Sequence, residues 1–206
     1  MISTMTEIVN KVIFKRAINF FIFSATIVII VTIITYMINP DFKEVMKEND
    51  SNSLTQVRES TGMDQVGLFI VNNGFLVPLQ MFFFALIPIQ FLYFVNIIST
   101  ISSLGVFFGI ALQIDFEKGF ELIISSLPHF IFEIFGFCLL AAVLFELNQV
   151  VRGKIRNLFK KNKEGHSLIK KFIKTIIAYA VFVLPIIIVA AFLETYIADI
   201  ILSLFQ

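Results

Sequence analysis

Five stretches of this chain, residues 17–38, 66–89, 91–114, 126–150 and 175–201, are each apolar over the roughly 20 residues that carry a helix across about 30 Å of hydrocarbon. Backbone N–H and C=O groups in lipid have no water to bond, so each such run must satisfy its own and is predicted to be a transmembrane helix. With 58% of 206 residues hydrophobic, a sizeable soluble domain is excluded. The predicted fold is all-α: a polytopic transmembrane helical bundle of about five spans, with residues 1–206 forming a single transmembrane domain.

Charge placement predicts orientation. The N-terminal segment carries Lys11, Lys15 and Arg16, and the connection at 151–174 carries Arg152, Lys154, Arg156, Lys160, Lys161, Lys163, Lys170, Lys171 and Lys174 against Glu164 alone. By the positive-inside rule both are cytoplasmic, which puts the C-terminus outside. The loop at 39–65 then lies outside; it mixes acidic and basic residues and is too short for a catalytic core of its own. Span one reads as an uncleaved signal anchor, because no Ala-x-Ala type site follows it. Spans two and three are predicted to form a tight hairpin turning near Pro88 and Gln90. The basic loop is attracted to an anionic inner leaflet by roughly 1 kcal/mol per well-placed cation. Topology thus accounts for the charge, and nucleic acid is not an expected partner. No Walker loop, Rossmann fingerprint or nucleophile elbow is present. The lone cysteine, Cys138, lies mid-span and reads as core.

Three ionisable side chains interrupt the last two spans: His129 and Glu133 in span four, Glu194 in span five. Such a group costs roughly 2.5 to 3.5 kcal/mol on insertion scales, so its retention points to use. Ser125, Ser126 and Pro128 are residue types of a first helical turn and predict the start of span four there. His129 and Glu133, four apart, share a face that Gly136 and Leu140 continue. Glu194 shares a face with Ala190, Ala191 and Ala198, small residues that admit a neighbouring helix. In span two Asn72, Asn73 and Gln80 are polar, with Asn73 and Gln80 seven apart on one helical face. In span three Asn96 heads a stripe of Ser99, Thr100 and Ser103, ahead of Gly105 and Gly109 in GxxxG spacing. Asn72, Glu133 and Glu194 all lie roughly 9 to 10 Å below the outer boundary at about 1.5 Å per residue. One polar chamber lined by Asn72, Asn73, His129, Glu133 and Glu194 is therefore expected. Glu146 and Asn148 are placed at the inner interface, beside Arg152.

Two readings of the cluster stay open. It fixes helix packing, or it does chemistry, with Glu133 or Glu194 as general base and His129 as acid. His129, Glu133 and Glu194 also form a three-ligand set, but without an HExxH pattern the metal signal is weak, and no cofactor is expected.

The Asn72-Asn73 pair opening span two, the Leu127-Pro128-His129 run with Glu133 four residues on, and the Ala190-Ala191-Phe192-Leu193-Glu194-Thr195-Tyr196-Ile197 segment resemble the stage II sporulation protein M family over roughly residues 65–200. Phe130 stands where that family tends to have a small residue, and Asn96-Ile97 where it tends to have Asn-Gly. The resemblance implies a multi-pass protein of the bacterial cytoplasmic membrane. Its expected partners, beyond the bilayer, are other membrane or cell-envelope proteins, with an ABC-type transporter, a peptide substrate and a second copy of the chain as candidates. Asn72, Asn73 and Asn96 are the candidate partner- or substrate-binding residues. The expected function is that of an assembly protein, more in keeping with a non-enzyme; the alternative is a polar intramembrane site in peptide maturation, export or immunity, as for a bacteriocin.

Overall fold

The computed structural model describes residues 10–38, 62–158 and 168–205. Most of the expected loop at 39–65 and the middle of the basic loop at 151–174 lie outside the described residues. The described residues are helical, without strands, and five helices are long and apolar enough to span a membrane. They are α1 (Lys11–Ile38), α2 (Met63–Leu86), α3 (Leu92–Ile114), α4 (Phe116–Leu158) and α5 (Leu168–Ser203).

Helix α4 is the hub. Two thirds of its most apolar window is buried, against a third or less in the other four helices. Ile134, Phe137, Leu140, Leu144 and Leu147 are fully enclosed, while α1 and α5 turn long apolar faces outward to where lipid would lie. At 43 residues and about 1.5 Å per residue, α4 is roughly twice the thickness of the hydrocarbon core. It therefore begins well before the expected start of span four. Asp115 is the true cap: its side chain accepts from the Lys118 N–H at 3.1 Å, and its carbonyl from the Gly119 N–H at 2.8 Å. Pro128, expected in the first turn, sits in the helix interior. It withholds an N–H from the carbonyl of Ile124, and Ser125 and Ser126 bond back to the Leu122 carbonyl at 2.9 and 2.8 Å.

Asp115 is the single residue between α3 and α4, and so short a link demands close approach. A Cβ on Gly119 would stand 2.6 Å from the Ala111 backbone, so only glycine fits. The Gly105 and Gly109 pair brings α3 against α1 in the same way. A Cβ at Gly109 would lie 2.6 Å from Thr35 Cβ and 2.8 Å from the Thr32 carbonyl. Gln113 then donates to the Thr35 and Tyr36 carbonyls at the end of α1, at 2.9 and 2.7 Å.

The α2–α3 hairpin turns through Ile87–Phe91, with Phe91 in the left-handed region at φ 65°. The buried Asn148 amide, reaching across from α4, donates to the carbonyls of Ala85, Ile87 and Ile89 at 2.9, 2.8 and 3.4 Å. It thus caps that turn. Glu146 departs from expectation: it pairs with Arg16 of α1 at 3.9 Å and with Lys171 of α5, while Arg152 instead donates to Gln90 at 2.9 Å. The Arg16 guanidinium further donates to the Ala142 carbonyl at 3.1 Å and lies 4.2 Å from the Phe145 ring centroid. These contacts gather the start of α1, the α2–α3 turn, the end of α4 and the start of α5 at one end of the bundle.

Candidate functional site

Two of the five helices are not regular along their length, and the departures carry the polar residues. In α2, residues Ile70–Leu76 form a π-helical segment in which the Val77 N–H bonds the Asn72 carbonyl five residues back. In α5, Tyr179–Val183 and Leu193–Ile197 do the same, with Leu184 N–H to the Tyr179 carbonyl and Ala198 N–H to the Leu193 carbonyl. Proline explains two of the three. Pro78 and Pro185 follow directly, and each withholds an N–H from a carbonyl four residues earlier, Gly74 and Val181. The freed Gly74 carbonyl accepts the Tyr179 hydroxyl, which ties the first π segment of α5 to that of α2.

The widened turn also changes which residues share a face. Asn73 and Gln80, expected on one face of a regular helix, part company. Asn73 borders α4 and α5, whereas Gln80 accepts from Asn96 of α3 at 2.9 Å. Asn96, which also donates to the Val77 carbonyl at 3.4 Å, thus belongs to the α2–α3 contact. Asn72 points to the exposed side and reaches the site through Asn73, donating to its Oδ1 at 2.7 Å.

The three ionisable residues converge. His129 and Glu133, one turn apart on α4, meet Glu194 on the third π segment, and one ligand atom from each lies within 4.8 Å of the other two. His129 Nε2 is 3.9 Å from Glu194 Oε2. What brings α5 so near is small side chains. Gly136, one turn beyond Glu133, would meet Ile187 at 3.1 Å if it carried a Cβ, and Ala190 and Ala191 are buried beside Glu194. Phe69, Asn73, Glu133, Ile187, Ala190, Ala191 and Glu194 line a small, partly open chamber too narrow for a water-sized sphere. His129 Nδ1 is buried without a hydrogen-bond partner.

Chemically, the arrangement offers one imidazole nitrogen, two carboxylates and an amide, drawn from three helices. Such a group can share protons, brace helices or hold a small cation. The ionisable residues were visible in the sequence as interruptions of apolar runs. The role of Tyr179 and the partners of Asn148 were not: Tyr179 bonds a carbonyl 105 residues away, and Asn148 acts on carbonyls about 60 residues away.

No curated protein and no solved structure matches this chain. The family model for stage II sporulation protein M matches residues 17–199, which take in Asn72, Asn73, His129, Glu133 and Glu194 together with most of the helical bundle; the chain belongs to that family.

Proposed function

We propose that this protein is an assembly component of the bacterial cytoplasmic membrane, a helical bundle that positions cell-envelope or transport partners. The end that gathers Arg16, Arg152, Lys170, Lys171 and Lys174 faces the cytoplasm in this reading, by the positive-inside rule, and the His129, Glu133 and Glu194 cluster lies toward the outside. The observation that carries the proposal is the narrowness of the polar chamber: with no room for a water-sized sphere between its walls, it suits the joining of α2, α4 and α5 better than the receipt of a peptide. Buried polar contacts between membrane helices serve this purpose well, because they specify which faces meet where lipid and leucine attract helices equally.

A second reading has its own support. His129 Nδ1 is buried and unpartnered beside two carboxylates, the disposition of an acid or base awaiting a substrate in peptide maturation, export or immunity. The test is capture of the intact protein from native membranes beside Glu133→Gln and Glu194→Gln variants matched for expression and monodispersity. Loss of the copurifying partners with the charges supports assembly. The same partners on all forms, with cellular function lost only in the variants, would refute it in favour of chemistry or transport.

A further inference from the structure

The chamber at the meeting of α2, α4 and α5 brings two carboxyl groups together beside a single imidazole. Its walls bring Phe69 and Asn73 from α2, Glu133 from α4, and Ile187, Ala190, Ala191 and Glu194 from α5, with His129 at its edge. Among these residues there is no lysine or arginine. Two carboxylates a few ångströms apart in a low-dielectric setting repel unless something positive or a proton lies between them.

Size narrows what that can be. A hydrated guest does not fit where no water-sized sphere does, whereas a bare divalent ion is smaller than a water molecule. Donor chemistry narrows it further, since one imidazole nitrogen and two carboxylate oxygens suit zinc and its first-row neighbours more than calcium or magnesium, which take oxygen alone. The spacing is close to what is needed. Tetrahedral ligands about 2.0 to 2.2 Å from a common ion stand roughly 3.3 to 3.6 Å apart. His129 and Glu194 are at 3.9 Å and the whole set lies within 4.8 Å, so small side-chain rotations complete the approach.

We propose that the chamber binds one divalent transition-metal ion, zinc being the first candidate, through His129, Glu133 and Glu194, with Asn73 Oδ1 as the fourth ligand. Asn73 Oδ1 accepts from Asn72 and keeps a second lone pair, so Asn72 acts as the outer partner that orients it. His129 Nδ1 has no other commitment, and either face of the ring presents a nitrogen to the ion. A four-ligand site with no room for water is of the structural kind. The ion cross-links three helices and cancels both carboxylate charges. This deepens the assembly reading and rests on it, because an ion held by four side chains from three helices fixes the bundle.

The test uses the full chain purified in detergent micelles, with metal content read by mass spectrometry and thermal unfolding followed with added Zn²⁺ or with a chelator. About one ion per wild-type chain is expected, with a chelator lowering Tm by roughly 5 °C or more and Zn²⁺ restoring it. Glu133→Gln and Glu194→Gln should lose the ion and the chelator response, while Glu146→Gln, at the other end of the bundle, keeps both. Should the ligand variants fail to fold, Asn72→Ala removes an exposed side chain and no charge, and should weaken Zn²⁺ binding about tenfold. A wild-type chain with no more metal than the double Glu→Gln variant, and a Tm indifferent to Zn²⁺ and chelator, overturns the proposal. Partner capture on the same samples separates the two ideas. Metal absent but partners lost with the charges overturns the ion and leaves the assembly reading; metal present but partners unchanged, with cellular function lost, does the reverse.

Discussion

The two ends of α4 each bring ionisable groups together from separate helices, and they settle their charges differently. At one end Glu146 lies between Arg16 and Lys171, Arg16 has a carbonyl and an aromatic face as further partners, and Asn148 supplies N–H groups to three carbonyls. Glu146 there has two cationic neighbours, and Arg152 bonds the Gln90 amide oxygen. At the other end two carboxyl groups face one imidazole across a narrow chamber that no lysine or arginine among the described residues lines. The contrast is one of charge: the first end sets two cations around one carboxylate, whereas the second sets two carboxylates beside a single imidazole. Buried ion pairs with full hydrogen bonding hold a fold; unbalanced ones mark a site.

Four substitutions would break or sharpen this contrast. The largest effect is expected from Glu146→Ala, which leaves Arg16 and Lys171 facing each other without an anion. Unfolding in mixed micelles should show a loss of about 3 kcal/mol, and a change under about 0.5 kcal/mol would mean the charges there are screened. Next, Asn148→Ala strips the buried donor from the α2–α3 turn. About 2 kcal/mol should be lost in the same assay, and proteolysis near Pro88 should rise; an unchanged midpoint would show that the turn holds itself. Tyr179→Phe removes only the hydroxyl on the Gly74 carbonyl, and about 1 kcal/mol is expected. A variant as stable as wild type would imply that the π segments satisfy their carbonyls alone. Smallest of all is Glu133→Gln measured in chelator, where removing one of two repelling carboxylates should leave stability within about 0.5 kcal/mol of wild type or raise it. A loss as large as that of Glu146→Ala would make the two ends equivalent and end the comparison.

Sequence alone carried the number and type of the helices, because an apolar run long enough to cross a bilayer has few other ways to satisfy its backbone. It also singled out His129, Glu133 and Glu194, since each interrupts such a run. It missed where α4 begins, because Ser125, Ser126 and Pro128 look like a first turn and only the packing of Gly119 on Ala111 shows that the helix is already ten residues old. It placed Asn73 and Gln80 on one face because a 3.6-residue period was assumed through a stretch where the backbone bonds five residues back. Pro78 hinted at that irregularity, but a proline does not say whether a helix will kink, end or widen. The partners of Glu146 and Asn148 had no local signature at all, being contacts between residues 25 to about 130 positions apart.

The widened turns have a further consequence, for chain length. A π turn accommodates one residue more than an α turn while the helix on either side keeps its facing. Ile70–Leu76, Tyr179–Val183 and Leu193–Ile197 are therefore the places in the described helices where a single residue can be gained or lost without turning the rest of the helix away from its neighbours. Elsewhere, as in the tight succession of α3, Asp115 and α4, one residue more or fewer would rotate everything beyond it by about 100°. Asn73 and Glu194 both sit in the tolerant stretches, so the polar chamber occupies the part of the bundle where insertion and deletion can change a site and leave its scaffold standing.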